Sequence, residues 1–228
     1  MNSESDLSEK IVEFFEYSFL VEEGIFEPRP ETEILVEIAL EYIGKLAKDK
    51  EKFVVVDACT GCGCIGISIA RKVKEKSLGK ILCVATDIDM KSLKLSRKNA
   101  RDEKIFFLKT DLVSGIRYAD MIVSNPPYVS LKVKDRINVN DPPRSLFGGE
   151  IGYEITEKLI QQSSQILRGE GILIFETGYD DLRFFGEQKI LEQYKSSLFR
   201  SIIENGFRIL DIVKDYSKIE RILVLEKL

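Results

Sequence analysis

The sequence predicts an α/β domain built on a mostly parallel, seven-stranded sheet whose last strand runs antiparallel, preceded by a short β-hairpin. Three observations carry this. From Phe53 onward, short apolar runs alternate with helical patterns, the order of a βαβ protein. The first run leads at once into the Gly-rich turn Asp57-Ala58-Cys59-Thr60-Gly61-Cys62-Gly63 and a helix, and the second ends on Asp87. The apolar run Met121-Ile122-Val123 is stopped by Ser124-Asn125-Pro126-Pro127-Tyr128-Val129, because neither proline can donate to a ladder and both fix φ.

In chain order, residues 1–10 are polar and expected to fray. Residues 14–26 mix aromatic and β-branched side chains around Glu22-Glu23-Gly24, which predicts two short strands turning there. Pro28-Arg29-Pro30 imposes an extended segment, and Thr32 is placed to cap a helix whose apolar positions are Ile34, Leu35, Ile38, Ala39, Tyr42 and Ile43. Strands are expected at 53–56, 81–85, 105–108, 118–123 and 172–175, with helices through 67–73, 91–101, 155–167 and 182–205, the last stopped by Gly206. Residues 207–213 and 219–225, separated by Asp215-Tyr216-Ser217, form an antiparallel pair. The loop 130–149 is longer than an ordinary connection, which favours a lid or substrate wall. The expected organisation is an extension with a hairpin over 1–27 and one catalytic domain over 28–228.

Composition narrows the function. A chain of 228 residues with net charge −4 and 34 basic side chains among 38 acidic ones lacks the basic stripe of a protein that grips nucleic acid by its phosphates. No apolar run approaches a membrane span, and the amino terminus has no signal-peptide pattern, so a cytoplasmic protein is expected. The chain has no histidine, which removes His-based acid–base chemistry and mixed Cys/His zinc sites. Cys59, Cys62 and Cys64, with Cys83, could in principle bind a metal. They lie in the turn a ligand needs, and Cys83 sits inside an apolar strand, so packing is the simpler role.

The Gly-rich turn carries the first chemical signal. Gly61 and Gly63 let the backbone pass under a ligand and expose amide donors at the positive end of a helix. Asp87, roughly two dozen residues further on, stands where a carboxylate takes ribose hydroxyls. Together they indicate an adenosine-bearing ligand, while Cys64 and Ile65 crowd the pyrophosphate approach that NAD needs. The elbow after Val123 carries the second signal. At the carboxyl edge of a parallel sheet it presents the Asn125 amide, the Pro126 carbonyl and the Tyr128 ring, an apparatus for a planar hydrogen-bonding group.

The segment Glu27-Pro28-Arg29-Pro30-Glu31-Thr32-Glu33, the turn from Asp57 to Gly66 and Asn125-Pro126-Pro127-Tyr128-Val129 resemble the protein-glutamine N5-methyltransferases of the HemK/PrmC family. The likeness continues through Leu146-Phe147-Gly148-Gly149, Glu176 and Gly178, and Asp215-Tyr216 with Glu220-Arg221, spanning residues 14–226. It implies a class I methyltransferase fold with S-adenosyl-L-methionine across the strand ends and a release factor's Gly-Gly-Gln loop as protein substrate. By that resemblance Asp57 belongs to the cofactor site, Cys59, Thr60, Gly61, Cys62 and Gly63 line the methionine part, and Asp87 takes the ribose. Ile88 packs on the adenine, Asp111 and Leu112 border its far edge, and Phe26 and Thr32 close the site. Asn125, Pro126, Pro127 and Tyr128 hold the substrate amide, and Asn125 also borders the cofactor.

Asn-Pro-Pro-Tyr alone is shared with adenine and cytosine amino-methyltransferases, so a nucleic-acid base amine (adenine N6 or guanine N2) is the alternative acceptor, and cofactor binding without turnover is a third reading. Three departures from the family's pattern stand out. About two dozen residues precede Gly24, so the usual helical docking domain is expected to be absent. Cys59 replaces the first glycine of the turn. The loop reads Asp141-Pro142 and Glu150-Ile151-Gly152, where the family tends to have Glu-Pro and an acid before the last glycine.

Overall fold

The computed structural model describes residues 9–48, 50–101, 103–137 and 141–228. The expected fraying over residues 1–8 falls outside them. Strands β1 (Lys10–Phe14) and β2 (Tyr17–Val21) form the hairpin, and its turn is Phe15-Glu16, with φ of +49° and +66°. This corrects the turn expected at Glu22-Glu23-Gly24. A two-residue hairpin of this type I′ form needs left-handed backbone at both central positions, a demand usually met by Asn-Gly. Here two L-residues meet it, with Glu33 Oε1 accepting the Phe15 N–H at 2.9 Å while Phe14 and Phe19 are buried edge to face at 6.1 Å.

A turn of 3-10 helix over Pro30–Thr32 leads into α1 (Glu33–Leu46). Thr32 holds the capping position, but its backbone is already helical and its side chain makes no capping bond, which corrects the expected role. The parallel half of the sheet follows: β3 (Phe53–Ala58), α2 (Cys64–Glu75), β4 (Ile81–Asp87), α3 (Met90–Ala100), β5 (Ile105–Lys109) and β6 (Ala119–Ser124).

The long connection after the prolines is folded. It contains β7 (Val129–Ser130), a 3-10 segment Leu131–Arg136, α4 (Pro143–Leu146) and β8 (Phe147–Gly149), with β7 and β8 paired in parallel. Next come α5 (Glu154–Ile166), β9 (Leu167–Glu176), a 3-10 turn Tyr179–Arg183 and α6 (Gln188–Glu204). The continuous helix expected over 182–205 is therefore broken, and Gly186, at φ +67°, lies in the gap. Strands β10 (Phe207–Lys214) and β11 (Glu220–Lys227) complete the chain.

The main sheet has seven strands in the order β10-β11-β9-β6-β3-β4-β5, with β11 antiparallel to both its neighbours. Side chains alternate across the central strand β3. Phe53 and Val55 join an apolar layer with α1, α2 and the hairpin, while Val54 and Val56 join the layer under α5 and α6. β3 pairs with β4 on one side and β6 on the other, so the chain reverses its direction of travel across the sheet at β3. Such a reversal opens a crevice at the carboxyl ends of the strands.

Candidate active site

The turn after β3 is built on three left-handed residues, Cys59, Gly61 and Gly63, with φ of +58°, +55° and +90°. Asp57 stands beneath it as a buried post. Its Oδ2 accepts the Thr60 hydroxyl at 2.6 Å and the Gly66 N–H at 2.9 Å, while Oδ1 has no hydrogen-bond partner among the described residues. Burial raises the Asp57 carboxyl to about 7. A Cβ on Gly63 would lie 2.3 Å from Ser96 Oγ and 2.7 Å from Ile67 Cδ1, so this glycine permits the packing of α2 against α3.

The expectation that Gly61 and Gly63 offer free amides to a ligand is corrected. Gly61 N–H donates to Asp87 Oδ2 at 3.0 Å, and Gly63 N–H to the Thr60 carbonyl at 2.8 Å. Asn99 of α3 ties the turn to the hairpin: its Nδ2 donates to the carbonyls of Cys62 and Leu20, both at 2.9 Å, and its Oδ1 accepts the Leu20 N–H at 2.8 Å.

Above the turn lies a cavity of about 430 Å³. Phe26, Thr32, Cys59, Thr60, Gly61, Cys62, Asp87, Ile88 and all four residues from Asn125 to Tyr128 line it. Asp57, Gly63, Asp111 and Leu112 are not among its lining. Asp111 is ion-paired with Lys158. Leu112, at φ +55°, turns its side chain into the core, and its carbonyl accepts the Thr86 hydroxyl at 2.6 Å. Asp87 keeps its place at the end of β4. Its Oδ1 accepts the Asp89 N–H at 2.8 Å, and burial raises its pKa. Ile88 beside it is 52% exposed, an apolar side chain left open to the cavity. At the mouth, Arg29 is ion-paired with Asp141 and lies over the Phe26 ring, 5.3 Å from its centroid.

The elbow is held from several sides. The Ser124 hydroxyl donates to the Ala58 carbonyl at 2.8 Å, fixing the end of β6 to that of β3. Asn125 Nδ2 donates to Thr32 Oγ1 at 3.3 Å, so the Thr32 side chain serves the elbow. The Tyr128 hydroxyl donates to Glu176 Oε2 at 3.4 Å. Its ring lies over Gly178, where a Cβ would come within 2.4 Å of Cδ2. The Arg221 guanidinium, 6.0 Å from that ring, donates from Nε to Asp215 Oδ2 at 3.1 Å and pairs through both terminal nitrogens with Asp181.

Glu176 is 2% exposed, and its Oε1 has no hydrogen-bond partner among the described residues. Burial raises its carboxyl to about 7, opposed by the Thr32 hydroxyl, the Arg221 charge and the Tyr128 hydroxyl. Burial, followed by the Glu176 charge, likewise pushes the Tyr128 phenol well up. The sequence placed Glu176 and Arg221 in a resemblance without giving them a role. A usable signal was present: Glu176 ends strand β9, as Asp87 ends β4, and acids at strand ends face the crevice.

The thiols of Cys59 and Cys83 are pushed up chiefly by burial, and that of Cys64 by its hydrogen bond with Cys62 and then by burial. Among the described residues, no group of three or more Cys, Asp or Glu could hold a metal ion. Among the same residues, no helix is long and apolar enough to cross a membrane.

An open sheet with its cavity at the reversal of strand order, floored by a Gly-rich turn and walled by an Asn-Pro-Pro-Tyr elbow, defines a methyltransferase domain. The family model described as "Methyltransferase small domain" matches residues 32–211. The ribosomal protein L11 methylase of Lactobacillus delbrueckii subsp. bulgaricus shares the fold, with a TM-score of 0.57 at 22% identity over 90% of this chain and 83% of that one. More narrowly, the chain belongs to the release factor glutamine methyltransferase family. The relative of that name from Clostridium acetobutylicum is 31% identical over 226 residues, covering 93% of this chain and 71% of the relative. The one from Clostridium botulinum is 33% identical, over 94% of this chain and 72% of its own length.

Proposed function

We propose that this protein transfers the methyl group of S-adenosyl-L-methionine to the side-chain amide nitrogen, N5, of a protein glutamine, that of the Gly-Gly-Gln motif of a peptide-chain release factor. The observation that carries this is the shared cavity: Asp87 and the cofactor turn line one part of it and Asn125 to Tyr128 another.

The residues present fit the cofactor. Each Asp87 oxygen accepts one backbone N–H and keeps a lone pair, so the carboxylate can receive both hydroxyls of a ribose. Ile88 offers an open apolar surface for the adenine. The lining carries seven carboxylates (Glu31, Asp87, Asp89, Asp141, Glu176, Asp181 and Asp215) against three guanidiniums (Arg29, Arg144 and Arg221), a balance that favours a cationic sulfur and disfavours phosphates. When bound, S-adenosyl-L-methionine supplies an electrophilic methyl group.

The chain's own contribution is orientation. An amide nitrogen is a poor nucleophile because its lone pair is delocalised into the carbonyl, so placement is the main lever. Asn125 Oδ1 and the Pro126 carbonyl accept the two N–H bonds of the glutamine amide and turn its lone pair toward the methyl. The same acceptors stabilise positive charge as it develops on that nitrogen, and they hold the extra proton until it leaves after transfer. Tyr128, its ring fixed between Gly178 and Arg221, packs against the amide plane. The test is incubation with methyl-labelled cofactor and a release factor, followed by mass spectrometry of the tryptic peptides. Label on the Gly-Gly-Gln glutamine is expected. Its absence there, or label on RNA or DNA instead, refutes the assignment.

A further inference from the structure

We propose that Glu176 and Thr32 are positioning residues that decide which end of the Asn125 side chain faces the acceptor nitrogen. This rests on the function proposed above and assigns roles to two residues that never touch the reacting atoms. The two ends of an asparagine amide have nearly the same shape, so packing alone does not select between them. One end must be an acceptor toward the substrate, since a donor there would meet the glutamine N–H head on.

The selection comes from a count of protons. Glu176 Oε2 accepts the Tyr128 hydroxyl and its buried Oε1 has no donor among the described residues, while the Thr32 hydroxyl leads the groups that hold this carboxyl down. An ionised Glu176 is an acceptor only, so Oε1 is the place for the single Thr32 hydrogen once the two close to hydrogen-bond distance. The Thr32 oxygen is left to accept, Asn125 turns Nδ2 to it at 3.3 Å, and Oδ1 faces the other way. A protonated Glu176 reverses the logic, because it donates to Thr32, which can then donate to Asn125 Oδ1 and turn the amide round.

The surroundings bring this switch into a working range. The charged and titratable groups facing Glu176 are Glu31 beside Thr32 at the start of α1, Cys64 at the start of α2, Tyr128 of the elbow and Arg221 of β11. Asp181 and Asp215 reach it through Arg221, whose single charge is already matched by these two carboxylates. Arg221 therefore cannot fully offset the burial of Glu176, whose pKa stands at about 7.

The test follows the Asn125 side-chain NH₂ resonance of the protein, saturated with S-adenosylhomocysteine, from pH 5.5 to 8.5. It also measures kcat and KM for Thr32→Val, Thr32→Ser and Glu176→Gln. The inference expects the wild-type resonance to titrate with a midpoint near 7 and to stay flat in Glu176→Gln and Thr32→Val. It further expects kcat to fall tenfold or more in Thr32→Val with KM within about threefold, Thr32→Ser to restore most of it, and the low-pH fall in wild-type kcat to vanish in Glu176→Gln. A wild-type resonance indifferent to pH, an unimpaired kcat in Thr32→Val or no rescue by Thr32→Ser would overturn it. If the resonance titrates as described and no glutamine is methylated, the amide switch stands and the assigned acceptor fails.

Discussion

Replacing Asp87 by Asn tests the placement of the ribose most directly. Oδ1 and Oδ2 accept the Asp89 and Gly61 N–H groups at 2.8 and 3.0 Å. An asparagine can present an oxygen to only one of these donors, so its NH₂ must confront the other. Toward the cofactor it also keeps one acceptor of the two that a ribose diol uses. The loss in binding is one hydrogen bond to a charged group, ~1.5–3 kcal/mol, or roughly 10- to 150-fold in Kd. The displaced Gly61 or Asp89 amide adds a separate cost in folding stability of about 1–3 kcal/mol. Calorimetric titration with S-adenosyl-L-methionine and with its demethylated product reads the first, and urea denaturation of the free protein reads the second. Both ligands should weaken alike, because the ribose is common to them. A Kd within about threefold of wild type for both would show that the diol does not lie on Asp87.

Asn125→Ala should cut kcat by about a hundredfold or more, the scale of removing one aligned polar contact at a reacting centre, while cofactor Kd stays within a few-fold in the same titration. Gly63→Ala places a Cβ 2.3 Å from Ser96 Oγ at φ +90°, whereas Gly61→Ala, at φ +55°, meets nothing within 4 Å. Both incur ~1–2 kcal/mol of backbone strain, and Gly63→Ala a further ~1–3 kcal/mol of overpacking, so its urea midpoint should fall clearly below that of Gly61→Ala. Equal midpoints would refute the packing argument. Asp57 is wholly buried with its pKa raised to about 7, above the ~3.9 of an unfolded chain. The folded state therefore holds more protons between those values, and this contribution to stability is full below pH ~4 and lost as pH rises through 7. Asp57→Asn should flatten denaturation midpoints measured between pH 5 and 8, and an unchanged slope would count against the raised pKa.

The strands were legible because buried parallel strands are continuous apolar runs, and β3, β4 and β6 run out at Cys59, Asp87 and Asn125, which line the cavity. The break in the helix expected over 182–205 is hidden in the sequence because the apolar spacing runs through Gly186, where the backbone turns left-handed. The hairpin turn is hidden because Phe15 and Glu16 carry no turn signature, and their left-handed backbone is held by a contact to Glu33 and the burial of Phe14 and Phe19 on either side. At the site, single positions such as Asn125 and Asp87 could be read from strand ends. Partnerships could not. That Thr32 bonds Asn125 across 93 positions, or that Asp111 turns outward to Lys158, depends on how separate elements meet.

Asn99 shows what such partnerships do to the molecule as a mechanical object. One side chain supplies the edge of β2 with a substitute neighbour and gives the Cys62 carbonyl its donor. One amide group thus fixes the hairpin and the floor of the cavity in a single position relative to α3. An Asn99 substitution therefore strikes both at once, leaving Leu20 N–H and two carbonyls without their partner.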